Sequence, residues 1–170
     1  DGSAALPFSI SDFWRWSSSS LLDNTLRGLL AEYLVAMAIH AEERVRREWS
    51  AWDLTTPSGA RIEVKSAAYL QSWKQKSLSV IRFGIQSTNG WDAQSGEYET
   101  ESRRQANYYV FCLFTHRDRE TADPMRLEQW TFYVLSSDIL NRHCPKQKSI
   151  GLARVTGLGA RKCTWDELCK

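Results

Sequence analysis

The spacing of apolar residues predicts one long helix near the start of the chain, followed by strands. Large apolar residues recur at helical spacing from Leu22 to Met37, which predicts a helix over about residues 21–42, capped by Ser20 or a neighbouring serine. Strands are predicted over about residues 48–56, 60–67 and 78–86, and over two continuous apolar runs at 108–114 and 130–135. Because continuous apolar strands are typically covered on both faces, we expect an α/β three-layer core with a mixed β-sheet flanked by helices.

Smaller elements complete this pattern. Short helices are predicted over about residues 137–141 and near residues 164–167, where serine, threonine and acidic residues have capping spacing. Phe13, Trp14 and Trp16 are expected to pack across the edge of the sheet. With no internal repeat or flexible linker, residues 1–170 are expected to form a single domain.

A hairpin signal joins the second and third predicted elements. Pro57-Ser58-Gly59 suits a three-residue loop, in which the glycine adopts the left-handed conformation. Closing the hairpin on this loop pairs Thr56 with Ala60 and places Asp53 opposite Glu63. A loop longer by one residue would send the Asp53 carboxylate to the other face of the sheet, so the register matters.

The segment Glu63-Val64-Lys65 carries the most chemical information in the sequence. Side chains alternate along a strand, so Glu63 and Lys65 point to the same face. Asp53 opposite Glu63 brings together two carboxylates, which raise each other's pKa. A divalent cation would compensate this pair, and Lys65 would do so in part. The alternative is a solvated hairpin face with an ordinary Lys–Glu pair.

Glu32 is the only formally charged side chain in residues 28–41, which are otherwise apolar apart from His40 and Tyr33. This helix is expected to be buried against the sheet. A buried carboxylate is costly without a partner, and such groups often mark functional sites. Gly28 lies one turn earlier on the same face and leaves room for a close approach. The alternative is that Glu32 reaches solvent, a backbone amide or an arginine such as Arg27.

Helical Glu32, then Asp53, then Glu63-Val64-Lys65 on consecutive strands resembles the PD-(D/E)XK nuclease superfamily. The resemblance covers residues 21 to about 86, and it departs from the superfamily pattern where Trp52, rather than proline, precedes Asp53. It implies the restriction-endonuclease-like fold. It also implies that Asp53, Glu63 and the Val64 carbonyl bind Mg²⁺ or Mn²⁺ and that Lys65 acts on the attacking water. Glu32 would be an auxiliary acidic residue, bound to the metal directly or through water.

The segment from residue 61 to residue 86 carries five cations against the single acid Glu63. Cations interleaved with flat aromatic rings and amides suit phosphate contacts and base stacking. We therefore predict a nucleic-acid-binding face formed by Arg61, Gln71, Trp73, Lys74, Lys76, Arg82 and Gln86. The alternative is an ordinary solvated hairpin.

Charged residues that follow this segment qualify the prediction. An acidic loop is expected to lie away from the DNA groove or to move when DNA binds; its members are Asp92, Glu97, Glu99 and Glu101. Arg103 and Arg104 are further phosphate-binding candidates.

Composition narrows the functional classes. A net charge of +2 excludes a strongly basic coat, so a nucleic-acid-binding face must be local. No apolar run approaches the length of a membrane span. The four cysteines lack zinc-knuckle spacing and are expected to be the reduced thiols of a cytoplasmic protein. No Walker loop or nucleophile elbow is present.

The leading hypothesis is a Mg²⁺-dependent (or Mn²⁺-dependent) deoxyribonuclease that acts on DNA, without membrane association. A homodimer is one option, because many nucleases that cut both strands act as dimers. The first alternative is a non-catalytic nucleic-acid-binding module on the same fold. The second is a metal-free interaction domain in which the charges are simply paired, with Glu32 near Lys65 or an arginine.

Overall fold

The computed structural model describes residues 7–41, 45–46, 50–92 and 96–169. Its helices are α1 (Ile10–Ser17), α2 (Asn24–Ala38), α3 (Ser137–His143) and α4 (Leu152–Gly157). Its strands are β1 (Leu54–Thr55), β2 (Arg61–Ala68), β3 (Arg82–Gly84), β4 (Thr88–Asp92), β5 (Glu97–Arg103), β6 (Tyr108–Phe114), β7 (Trp130–Ser136), β8 (Ser149–Gly151) and β9 (Arg161–Cys163). Short 3-10 turns lie at Leu127–Gln129 and Trp165–Glu167.

Five strands form the central sheet, in the order β1-β2-β6-β7-β9. β2 and β6 are parallel, whereas the other neighbours are antiparallel, so the sheet is mixed. α2 packs on one face, and the ladder of β3 and β8 covers the other face together with α3 and α4. The predicted α/β core with a mixed sheet flanked by helices is confirmed.

β6 shows why the core has two halves. Residues 110, 112 and 114 pack with α2, whereas residues 109, 111 and 113 pack with β3, β8 and α4. A strand that faces apolar layers on both sides must be apolar at successive positions, as its sequence indicated. β2 lies beside β6 and shares both faces, so Glu63 and Lys65 project from the face opposite α2.

The buried face of α2 differs from the predicted one. The residues in contact with the sheet are small or medium in size, including Ala31, Leu34 and Val35. Tyr33 is 59% exposed and Met37 is 44% exposed. Small side chains let the helix approach the sheet closely, so the larger residues of the periodic pattern lie on the outer side.

The bounds of α2 also correct the prediction. The helix begins at Asn24, because the Asp23 side chain accepts hydrogen bonds from the amides of Thr25 and Leu26, at 2.9 and 3.3 Å. It ends at Ala38 rather than residue 42, which lies outside the described residues. Within the described residues, the predicted strand at 48–56 shortens to β1 and the one at 78–86 to β3; residues 48 and 49 lie outside that part of the chain.

The N-terminal aromatic residues do not pack on the sheet edge, so that prediction is wrong. They belong to α1, an additional helix whose capping box is formed by Ser9 and Asp12 and which buries none of its residues. Trp16 is 84% exposed.

The predicted acidic loop is a hairpin formed by β4 and β5. None of the helices in the described part of the chain has the length and apolar character needed to span a bilayer.

Candidate active site

The hairpin that carries the candidate site closes in the predicted register. Leu54 pairs with Ile62, and Thr55 pairs with Arg61. Gly59 has a φ of 83°, the left-handed conformation that a three-residue loop requires. The local signal in residues 57–59 therefore predicted both the loop and the pairing.

Asp53 lies immediately before β1, and hydrogen bonds to β2 fix its position. Its amide donates to the carbonyl of Ile62 at 3.0 Å. Its Oδ2 accepts from the amide of Val64 at 2.7 Å. The second bond holds the carboxylate against β2, close to the two charged side chains that flank Val64.

Glu63 and Lys65 project from the same face of β2 and form an ion pair, in which Nζ donates to Oε1. Their side chains are only 19% and 33% exposed, respectively. The pair is therefore a partly buried polar site, not a solvated strand surface. Across the parallel ladder, Glu63 pairs with Tyr109 and Lys65 with Phe111, both of which are buried.

The charges at this site act strongly on one another. Burial raises the pKa of Asp53 to about 7, and the negative charge of Glu63 adds to the effect, with a smaller contribution from Glu32. Burial acts against the positive charge of Lys65, but the nearby carboxylates outweigh it and raise the pKa of that ammonium group. Glu32 and Glu63 thus each lie within electrostatic reach of both Asp53 and Lys65.

Glu32 is held by an arginine, but not by the one considered from sequence. Arg27 instead donates to the carbonyl of Leu22 at 2.9 Å and to Asn24. Arg46 donates from Nε to Glu32 Oε2 at 2.5 Å and from Nη2 to Oε1 at 3.4 Å. The α2 surface at Gly28 is open, since a Cβ there would meet nothing within 4 Å.

A cavity of about 100 Å³ connects Glu32 with Asp53. Arg46 also lines it, and Tyr33 and Met37 form part of its apolar wall. A larger groove of about 680 Å³ lies along β7 and β9 and contains none of the predicted site residues. The small cavity is therefore the more relevant of these two, because two candidate catalytic carboxylates line it.

The site has the donor chemistry of a divalent-cation site, although the ligands are not gathered into one. Within the described residues, no three Asp, Glu, His or Cys side chains form a metal-binding group. Glu32 is engaged by Arg46 and Glu63 by Lys65. Burial is the main cause of the raised pKa of Asp53, and the negative charge of Glu63 adds to it, while Lys65 acts in the opposite sense. The carboxylate oxygens of Asp53 and Glu63 are the type of ligand that a hard divalent cation prefers.

Most residues of the predicted nucleic-acid-binding face are exposed. The exposed members are Arg61, Trp73, Lys74, Lys76, Arg82 and Gln86. The Arg61 guanidinium stacks over the ring of Trp52, 4.3 Å from its centroid. Arg61 lies at one end of β2, and residues 73–76 follow its other end, so the catalytic candidates lie between two cationic regions.

The prediction that Gln71 belongs to the nucleic-acid-binding face is wrong, because its side chain is buried and holds a loop. Its Nε2 donates to the Ala68 carbonyl and to Ser79 Oγ, at 3.2 and 3.0 Å. Gln75 donates to Ser79 as well, and Arg119 donates to the carbonyls of residues 71 and 73. These hydrogen bonds hold the loop that carries Trp73 and its neighbours.

Of the two later arginines, the structure contradicts the prediction for Arg104, whereas that for Arg103 stays a prediction. Arg104 is buried, and it donates to the carbonyls of Ile85 and Cys144, at 2.9 and 2.7 Å. It therefore ties β3 to α3 and does not reach DNA. Arg103 is exposed but forms a two-pronged ion pair with Glu99.

Sequence reasoning missed two residues at the site. Arg46 belongs to a run of charged residues, and nothing in the sequence distinguishes it from its neighbours. Tyr109 lies within an apolar run, and burial together with the charge of Glu63 raises its pKa to about 12. Only the pairing of β2 with β6 brings this phenol beside Glu63, and that pairing is non-local.

Two carboxylates and a lysine thus lie together, partly buried, at the edge hairpin of a mixed sheet. The chain belongs to the bacteriophage T4 endonuclease IV family, whose sequence model matches residues 12–153. The match spans every candidate catalytic residue. Comparison with curated proteins gives no matching sequence. Family membership identifies the protein as a nuclease.

Proposed function

We propose that this protein is a metal-dependent endonuclease that hydrolyses phosphodiester bonds in DNA through a site of the PD-(D/E)XK type. The main support is the electrostatic convergence of Asp53, Glu63 and Lys65 at the β1–β2 hairpin. The family match supports the endonuclease activity independently of this geometry. A homodimer and a cytoplasmic location stay predictions.

Asp53, Glu63 and the carbonyl of Val64 would hold Mg²⁺ or Mn²⁺. When bound, such an ion lowers the pKa of a coordinated water and neutralises charge on the phosphate. Lys65 supplies a fixed positive charge beside these ligands, because the surrounding carboxylates keep its ammonium group protonated. Its role would be to orient the attacking water or to stabilise the transition-state oxygens.

Removal of divalent ions is expected to abolish DNA cleavage. EDTA should stop the reaction, and an excess of Mg²⁺ or Mn²⁺ should restore it, measured as product formation from labelled single-stranded and double-stranded DNA. Cleavage that continues in EDTA would contradict the metal requirement. Binding without cleavage in every metal would instead favour the non-catalytic module.

The DNA would run along β2, past the catalytic residues. Seven residue steps separate Arg61 from Ala68, which corresponds to about 23 Å at the usual rise of a strand. This length matches about seven base-pair steps of DNA. Arg61 would contact phosphates at one end, and the loop with Trp73, Lys74 and Lys76 would contact the strand at the other.

Removal of the two loop lysines is expected to weaken DNA binding and its salt dependence. The double variant Lys74→Ala/Lys76→Ala should lower the slope of log affinity against log salt by about two units, because each lost phosphate contact removes about one. Binding is measured in Ca²⁺, which occupies acidic sites but usually supports no cleavage.

Lys162→Ala provides the matched control, since Lys162 is an exposed lysine on β9, at the opposite edge of the sheet. It should leave the slope unchanged. If the double variant retains the wild-type affinity and slope, the loop is only a solvated surface.

A further inference from the structure

Arg46 occupies a position at the site that the proposed mechanism does not use. Its guanidinium forms two hydrogen bonds with the Glu32 carboxylate, one from Nε and one from Nη2. The two partners differ in burial, because the Glu32 side chain is 15% exposed and the Arg46 side chain is 50% exposed. The carboxylate therefore lies inward on α2, and the arginine extends from it toward solvent.

The Arg46–Glu32 ion pair lies beside Asp53. Arg46, Glu32 and Asp53 line the same space of about 100 Å³. The charge of Glu32 reaches both Asp53 and Lys65. Arg46 and Lys65 thus bring positive charge to Glu32, Asp53 and Glu63 from two different parts of the described chain. A phosphodiester beside Asp53 would have one cation from each.

We propose that Arg46 contacts the scissile phosphate and that Glu32 is its positioning residue rather than a metal ligand. This inference rests on the proposed nuclease function. A guanidinium suits the role because its planar donors match phosphate oxygens and carboxylate oxygens in the same way. Both oxygens of the Glu32 carboxylate bond to the Nε–Nη2 edge of the Arg46 guanidinium, and this two-point contact holds the arginine in one orientation. Glu32 then acts on the substrate only through Arg46.

The variants separate a positioning role from a ligand role. Arg46→Ala should lower kcat by about 10²-fold, the usual effect of losing one donor to the transition state. Glu32→Gln should lower kcat similarly, and the double variant should be no worse than either single change, because both changes remove one function. Arg46→Lys should recover part of the rate, since it keeps the charge but loses the fork geometry.

Two further measurements do not depend on turnover. Binding of Mn²⁺ in the absence of DNA, followed by electron paramagnetic resonance, should be unchanged in Glu32→Gln. DNA affinity in Ca²⁺ should fall in Arg46→Ala, with the salt slope lower by about one unit. Arg126→Ala is the matched control, since Arg126 is an exposed arginine that pairs with Glu128 at 2.8 Å, outside this cavity. Thermal melts establish that each variant is folded.

Weaker Mn²⁺ binding in Glu32→Gln would make Glu32 a ligand and overturn the inference. So would wild-type kcat in Arg46→Ala, or a double variant whose losses multiply. These outcomes leave the proposed function intact as long as the wild-type protein cleaves DNA with added metal. A wild-type protein that cleaves nothing would instead remove the proposed function itself.

Discussion

Replacement of Lys65 by alanine is expected to abolish DNA cleavage while the protein stays folded. Lys65 is the cation paired with Glu63, and the charge of Asp53 also acts on it. Loss of a preorganised charge at the reacting phosphate costs about 10²–10³-fold in rate. The fold should survive because the side chain is one-third exposed, but the protein should be less stable, since Glu63 and Asp53 lose their nearest positive charge.

The measurement is cleavage of labelled DNA in Mg²⁺, together with DNA binding in Ca²⁺ and a thermal melt. Lys162→Ala again serves as the control for loss of an exposed lysine. DNA binding should stay near the wild-type value in the Lys65 variant, and the melt should remain a single cooperative transition at a lower temperature. Undiminished cleavage by Lys65→Ala, prepared free of contaminating nuclease, would remove this residue from the mechanism.

Replacement of Asp53 by asparagine is expected to stabilise the metal-free protein at high pH and to abolish cleavage. Burial and the charge of Glu63 raise the pKa of Asp53 from 3.8 to about 7. The folded protein therefore retains a proton that the unfolded chain releases, so stability falls as the pH rises between these values. The loss is complete above the folded pKa and absent below the unfolded one. Asparagine carries no charge and escapes this loss.

The free energy of unfolding in EDTA should be higher in Asp53→Asn by up to about 4 kcal/mol above pH 8, since each unit of pKa corresponds to about 1.4 kcal/mol. At pH 3.5 the two proteins should have similar stability. Urea titrations at both pH values measure the difference. Added Mg²⁺ should stabilise the wild type but not the variant. Equal stability at high pH would mean that the Asp53 charge is compensated without metal.

Local sequence signals predicted the hairpin and the central strands, and the physical reason is the same in each. The loop at residues 57–59 and the continuous apolar runs of β6 and β7 depend on neighbouring residues, which the sequence displays directly. Glu63 and Lys65 follow from the alternation of side chains along one strand. Their position beside Asp53 follows from the register of the β1–β2 hairpin, which the loop residues determine.

Contacts between distant segments were not predictable in this way. Arg46 reaches Glu32 from 14 residues further along the chain, and Tyr109 reaches Glu63 only through the parallel ladder. Gln71 and Arg104 have the polar character of binding residues, but backbone carbonyls bind them inside the protein. Polarity indicates that a side chain needs hydrogen-bond partners, and it does not indicate whether the partner is a ligand or the protein's own backbone.

The strand that follows Asp53 has only two residues and lies at the edge of the sheet. Edge segments with few backbone bonds open at a lower free energy than the core strands they pair with. Fraying of this strand would carry the Asp53 carboxylate away from Val64, while the layers around β6 stayed packed. Activity would then be lost on heating when this short strand opens. The temperature of inactivation and the melting temperature of the fold are therefore two separate properties of the protein.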